Sequence, residues 1–192
     1  IEDPFSVLAL RAAMNAEPVP RVRLLYVEAL GNIDTGDAIG ALLSLVLDHP
    51  DSEVRWSAIG RLEKRESIQV VPPLIAALQG NDIQRINRAA FALKTLGDES
   101  AVQSLMRVLI TQQVVTTGVG SGGKTSATFS PTGGGLALGS SQKKKIVVSQ
   151  NVHVLEALTT LTSKNFGWDQ SSWLLWFQNQ GVSQTADIRR DP

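Results

Sequence analysis

Cysteine is absent from the 192 residues. With it go disulfides, thiolate metal ligands, cysteine nucleophiles and thioether attachment of a chromophore, and a cysteine-free chain suits an oxidising compartment. Charge of one sign is lacking too. The 18 lysines and arginines stand against 18 aspartates and glutamates, so no net field draws in nucleic acid or an anionic membrane surface, and charged recognition has to be local. Long hydrophobic runs are missing as well: the longest, Ala38 to Leu47, is far short of the ~20 residues that cross a bilayer, and no membrane span is expected. What remains is 43% hydrophobic and 19% charged, enough for one sizeable core and too apolar for disorder throughout.

The apolar residues repeat. Val7, Leu10 and Met14 recur as Ile39, Leu42 and Val46, then as Val71, Leu74 and Leu78, and again as Val102, Leu105 and Leu109, at offsets of 32, 32 and 31. Spacings of three and four put each trio on one face of a short amphipathic helix, helix A of each unit. A second series follows at the same period. Tyr26, Leu30 and Ile33 give way to Ala58 and Leu62, with Arg65 in the third place, and then to Ala89, Leu93 and Leu96, marking helix B. Turn sequences separate the two, with Glu17-Pro18-Val19-Pro20, Asp48-His49-Pro50-Asp51 and Gln79-Gly80-Asn81-Asp82 following successive A helices. Each unit is a helical hairpin of about 30 residues that cannot bury its apolar face alone, so neighbours must stack.

Val22-Arg23 to Glu28-Ala29-Leu30-Gly31, Val54-Arg55 to Arg61-Leu62, and Ala89-Ala90-Phe91-Ala92-Leu93 to Leu96-Gly97-Asp98 resemble the signposts of short HEAT repeats, of the kind also found in phycobilin lyases. The resemblance spans roughly residues 5 to 111 and resumes later. It departs from the pattern in the third B helix, where Arg85-Ile86 stands for Val-Arg and leaves that boundary open. The expected fold is all-α: an α–α superhelix (an armadillo/HEAT-like solenoid) of about four hairpins, with a glycine-rich, β-ribbon-like insertion in the fourth. Residues 1–181 are expected to form one domain containing the insertion 112–149, and 182–192 a frayed tail.

The insertion shows itself as a displaced helix. Glu156-Ala157-Leu158-Thr159-Thr160-Leu161 resembles Glu28-Ala29-Leu30-Gly31-Asn32-Ile33, but Leu105 and Leu158 lie 53 residues apart where Leu10 and Leu30, or Leu42 and Leu62, lie 20 apart. Residues 111 to 149 hold eight of the 16 glycines. The β-branched ends, Gln113-Val114-Val115-Thr116-Thr117 and Ile146-Val147-Val148, are expected to pair as a two-stranded ribbon with a mobile tip. Gly118-Val119-Gly120-Ser121-Gly122-Gly123-Lys124-Thr125 satisfies the P-loop pattern in letters only. Phosphate binding there needs a helix directly after the lysine, and Ser126-Ala127-Thr128-Phe129-Ser130-Pro131 cannot start one.

Half of the ten aromatic residues fall between Phe166 and Phe177. Asp169 is the expected N-cap of a last helix that puts Trp173, Trp176 and Phe177 on one face, either as the cap of the stacked core or as a partner surface. Leu-Thr, Asn-Phe-Gly, Asp and spaced tryptophans are similar to the tails of exported bacterial HEAT proteins, which implies an exported or periplasmic location.

No catalytic, cofactor-binding or metal-ligating residue is assigned. His49 and His153 are expected to face solvent with no ligand cluster around them, and Asp37, Asp51, Asp82 and Asp98 stand where helix starts and turns want carboxylates. Charge within the repeats says more. Segments 22–33, 54–65 and 85–96 carry eight basic residues, including Arg65 and Arg85, against Glu28 and Glu63; the rest of residues 1–111 is strongly acidic. In HEAT proteins the B helices line the concave surface, so the resemblance implies a basic groove. Its candidate partner-binding residues are Arg23, Arg55, Trp56, Arg61, Lys64, Arg88, Phe91 and Lys94, with Lys143, Lys144 and Lys145 of the insertion as a secondary set. A structural role competes with this reading: basic residues near helix C-termini complement the dipole, and the arginine after valine often bridges to an aspartate of the next repeat. The expected function is a non-enzymatic protein-interaction or scaffolding module, without a cofactor, that binds an acidic or extended protein partner. A bilin lyase-like, chromophore-handling protein is the alternative. A nucleic-acid-binding solenoid comes third, disfavoured by the zero net charge.

Overall fold

The computed structural model describes residues 4–117 and 143–186. Helices α1 (Pro4–Ala16), α2 (Pro20–Gly31), α3 (Gly36–Asp48), α4 (Ser52–Leu62), α5 (Ser67–Leu78) and α6 (Ile83–Leu96) follow one another closely. A 3-10 turn at Glu99–Ala101 then runs into the short α7 (Val102–Arg107). Strands β1 (Ile110–Thr117) and β2 (Lys143–Gln150) come next, before α8 (Val152–Thr162) and α9 (Gln170–Ala186). Contacts divide the chain into two compact units, Ile1–Thr111 with Gln150–Pro192, and Gln112–Ser149.

In the larger unit α1 packs on α2, α3 on α4, α5 on α6 and α7 on α8. The odd-numbered helices also stack on one another, and so do the even-numbered ones. This is the two-layered α-solenoid that the repeat requires. Ile39, Leu42, Leu62, Leu74, Leu93, Leu105 and Leu158 all lie in its single core. Leu158 is wholly buried, so α8 is the second helix of the fourth hairpin despite the residues inserted before it.

Local chemistry sets where the helices begin and end. The side chains of Thr35, Asp51 and Asp82 accept hydrogen bonds from the exposed first-turn amides of α3, α4 and α6, and Asp98 does the same for the 3-10 turn. Helix α6 ends at Gly97, whose φ of 71° is the left-handed conformation that glycine adopts without strain. The open boundary at Arg85-Ile86 resolves in favour of Ile86, which is buried, while Arg85 turns outward to Asp48 at 3.3 Å.

The hairpin carrying the insertion is closed by Asn151, the one buried polar side chain among the described residues. Its backbone amide donates to the Leu109 carbonyl at 3.1 Å, and its Nδ2 donates to the Val108 carbonyl at 2.6 Å and to Thr111 Oγ1 at 3.3 Å. Chain that leaves α7 is thus bonded directly to chain that enters α8. In the smaller unit β1 and β2 pair as a two-stranded sheet, with Ile146, Val147 and Val148 exposed. The P-loop-like stretch Gly118 to Thr125 and the glycine-rich tip lie outside the described residues.

At the other end α9 packs on α7, and Gln170 Nε2 donates to the Met106 carbonyl at 2.8 Å. Asp169 Oδ1 accepts from the amides of Ser171 and Ser172, the capping role its position suggested. Trp173 is buried, edge-on to Phe166 at 5.0 Å, with Trp176 half-buried beside it. Phe177 departs from the expected single face and is exposed along with Leu174 and Leu175. The helix continues to Ala186, into the stretch expected to fray, and residues 187–192 lie outside those described.

Candidate partner-binding groove

Most of the candidate basic residues, which lie on or just beyond the even-numbered helices, have specific partners. Arg23 donates to the Pro18 carbonyl at 3.3 Å and reaches toward Asp51 at 3.9 Å. Arg61 pairs with Glu28 at 3.2 Å across two repeats, and its side chain runs so close to Gly31 that a Cβ there would meet its Cδ at 2.6 Å. Arg65 pairs with Asp34 and also donates to the carbonyls of Gly31 and Ile33 at 2.8 and 2.9 Å, closing the end of α2. Lys94 donates to Glu156 at 2.9 Å, tying α6 to α8. Lys64, just past the end of α4, is exposed and has no ion pair among the described residues. The ridge is therefore largely a set of braces between repeats.

Arg55 and Arg88 differ in what they brace. Arg55 Nη1 donates to the carbonyls of His49 and Pro50 at 2.8 and 2.7 Å, and Arg88 Nη1 to the Leu47 carbonyl at 2.8 Å. Both cations thus converge on the carbonyl-rich C-terminal end of α3, where the helix dipole favours positive charge. Burial, and after it the neighbouring Arg88 charge, holds Arg55 below the usual guanidinium value, with Asp51 acting in the opposite sense.

These two arginines border a cavity of about 380 Å³ between α4, α6 and the start of α8, within the usual range for ligand pockets. Val46 and Ile59 form its apolar floor, and Ser52, Gln84 and Asn87 add neutral polar groups. Three rings run along it. Trp56 stacks on Phe91 with centroids 6.2 Å apart and planes 15° from parallel, and His153 meets Phe91 edge-on at 5.8 Å. Lys94 Nζ sits 4.8 Å from the Phe91 centroid, a cation–π contact. Trp56 is nevertheless 62% exposed.

Of the candidates read from the sequence, the groove gathers Arg55, Trp56, Arg88 and Phe91, and Lys94 touches it through Phe91. Arg23, Arg61 and Lys64 do not line it. Lys145, in the smaller unit, is exposed, and the side chains of Lys143 and Lys144 lie outside those described. Beyond the apolar floor of Val46 and Ile59, four lining residues were not among the candidates read from the sequence: Ser52, Gln84, Asn87 and His153. His153, expected merely to face solvent, is exposed but places its ring against Phe91 and its Nδ1 3.2 Å from Glu156. Its signal lay in the displaced helix, which brings residue 153 beside residue 91 once α8 is stacked on α6. His49 is half-buried in the α3–α4 turn, its Nδ1 accepting from the Asp51 amide at 3.1 Å. Among the described residues no group of three or more histidines and carboxylates is disposed to hold a metal ion. None of the described helices is long and apolar enough to cross a membrane.

Residues 7–94 match HEAT repeats, and residues 87–111 match the PBS lyase HEAT-like repeat, so that together the two matches cover more than half of the chain. The chain belongs to the HEAT-repeat family. No curated protein matches it. HEAT repeats generally mediate protein–protein interaction or scaffolding, and the family is generally non-enzymatic. In this HEAT-repeat chain neither match reaches α8, whose place as the second helix of the fourth repeat comes from its packing on α6 and α7.

Proposed function

We propose that the protein is a non-enzymatic interaction module that uses the α4, α6 and α8 face to bind an acidic, extended segment of a protein partner. The observation that carries this reading is the presence of Arg55 and Arg88 in one groove with Trp56 and Phe91, while among the described residues no aspartate or glutamate lines it. Aromatic residues and arginine are the side chains that most often dominate binding energy at protein interfaces. Comparing partner capture by the wild-type protein and by Trp56→Ala tests the reading. The variant is expected to bind the partner at least tenfold more weakly, equivalent to ~1.4 kcal/mol. Equal capture would remove the groove from the interface.

The match of residues 87–111 to the PBS lyase HEAT-like repeat supports one second reading, a chromophore-handling protein. Incubation with a bilin tests it: a shifted absorption band that Trp56→Ala abolishes would favour that reading over a protein partner.

A further inference from the structure

Building on that reading of the groove, we propose that Arg55 and Arg88 together form a preorganised carboxylate receptor. One acidic side chain of the partner segment bridges the two guanidiniums, and a large apolar side chain next to it packs on Trp56. The bracing bonds described above do not exhaust these arginines. A guanidinium has five N–H donors in a fixed plane, and Arg55 commits only Nη1, to His49 and Pro50. Among the described residues no acceptor takes its Nε or Nη2. Arg88 commits Nη1 to Leu47, and its Nη2 makes only a long 3.4 Å contact with Gln84. Each side chain is therefore held in place by the end of α3 while keeping donors for a ligand. Freedom that a surface arginine normally loses on binding is already lost here, and this is what preorganisation means in energetic terms.

The electrostatics point the same way. Two like charges share one cavity, and Asp51, the nearby carboxylate, is engaged in capping α4 through the Glu53 amide. An incoming carboxylate would relieve this repulsion and accept charge-assisted hydrogen bonds from both guanidiniums. The site fits one or two anions, not a chain of phosphates. Of the cations that could extend the track, Arg61 is neutralised by Glu28, Arg65 by Asp34 and Lys94 by Glu156, and Lys64 lies off the groove. Nucleic acid binding draws on many such contacts at once. Trp56 supplies the second half of the recognition. It is held by stacking on Phe91 yet largely exposed, whereas Trp173 shows the burial that a purely structural tryptophan attains in this protein.

Capped octapeptides titrated calorimetrically into the full chain provide the test. One alternates aspartate with phenylalanine, one replaces every aspartate by asparagine, and one replaces every phenylalanine by alanine. The first is expected to bind at least tenfold more tightly than either of the others. Its affinity is expected to fall about tenfold in Trp56→Ala and also in Arg88→Lys, which keeps the charge but loses the fork, and to be unchanged in Lys164→Ala, which removes a positive charge elsewhere. Equal binding of the alanine peptide, still weakened by Arg88→Lys, would overturn the paired receptor and leave an acidic partner on this face standing. Failure of every acidic peptide to bind the folded chain at millimolar concentration would overturn both. Binding of the asparagine peptide as tightly as its parent would reject the carboxylate role alone.

Discussion

The side-chain amides of Asn87 and Asn151 are joined by a hydrogen bond of 3.0 Å, Nδ2 of the first to Oδ1 of the second. Asn151 stands at the N-cap of α8 but makes no side-chain cap bond there; instead Asn87 Oδ1, from α6, accepts from the His153 amide at 3.1 Å. The displaced helix thus receives its cap from the preceding repeat. Asn151→Ala would leave the Val108 carbonyl without this donor and take one of two acceptors from the half-buried Asn87 Nδ2, which keeps the Ile83 carbonyl at 2.8 Å, so it is expected to lower stability by about 1–3 kcal/mol. Asn87→Ala should cost less, and a double-mutant cycle should show coupling of about 0.5–2 kcal/mol. Urea unfolding with an unchanged slope is the measurement, and additive losses would show that the two amides act independently.

The same residue argues that the insertion is dispensable for the fold. With the Asn151 amide on the Leu109 carbonyl at 3.1 Å, the two chain ends already meet at the base of the fourth hairpin. Replacing residues 112–149 by a short polar turn should leave unfolding cooperative and change stability by no more than about 1 kcal/mol, because closure entropy varies slowly with loop length. Loss of cooperativity would assign the insertion a structural role.

Much of this architecture was legible in the sequence because hairpin stacking writes itself as a period, and Leu158 could be recognised as a repeat leucine across a long insertion. The groove was legible only in part. Arg55, Trp56, Arg88 and Phe91 lie on helices whose register the repeat sets. Asn87 and His153 do not stand out by type or spacing, since their roles arise only when α8 packs on α6. The fate of the arginines was least legible, because their acceptors are backbone carbonyls such as those of Leu47 and His49, which no residue letter records.

Two tryptophans should respond very unequally to truncation. Trp173 is wholly buried against Phe166 and Trp176, with its Nε1 donating to the Gly167 carbonyl at 2.9 Å, so Trp173→Ala is expected to cost about 3–5 kcal/mol. Trp56→Ala, in the groove, should stay within about 1 kcal/mol of wild type. Thermal unfolding of the two variants side by side checks this. A large loss from Trp56→Ala would mean that the stack on Phe91 holds α4 to α6 and is not reserved for a ligand.

Acid should loosen the junction of α6 and α8. Glu156 is held below its ordinary value of 4.5 first by the hydrogen bond from Lys94 and then by that from His153. A depressed carboxylate contributes stability that is complete above its unfolded value and lost as the pH falls through its lower folded value. The stability difference between wild type and Glu156→Gln should therefore be present at neutral pH and shrink toward zero as the solution is acidified below 4.5. Because the carboxylate is largely exposed the effect is modest, and a difference independent of pH would mean that the pair contributes packing rather than charge.

Reversing Arg55 and Arg88 to glutamate looks, from the sequence, like a way to weaken partner capture at least tenfold while barely moving the melting temperature. The geometry predicts otherwise. Each reversal removes donors from the carbonyls of Leu47, His49 and Pro50 and sets a carboxylate against the negative end of the α3 dipole. A combined loss of about 2–4 kcal/mol is expected from the unmade charge-assisted bonds. For a domain of this size each kcal/mol corresponds to a shift of about 2–4 °C in melting temperature, so the double reversal should be plainly visible in a thermal scan. Glutamine at both positions should recover part of that shift, since it removes the repulsion but offers only a neutral, shorter donor in place of the guanidinium. A double reversal that melts like wild type would mean that these carbonyls are satisfied equally well by water, and that the arginines are held in the groove by nothing but the ligand they await.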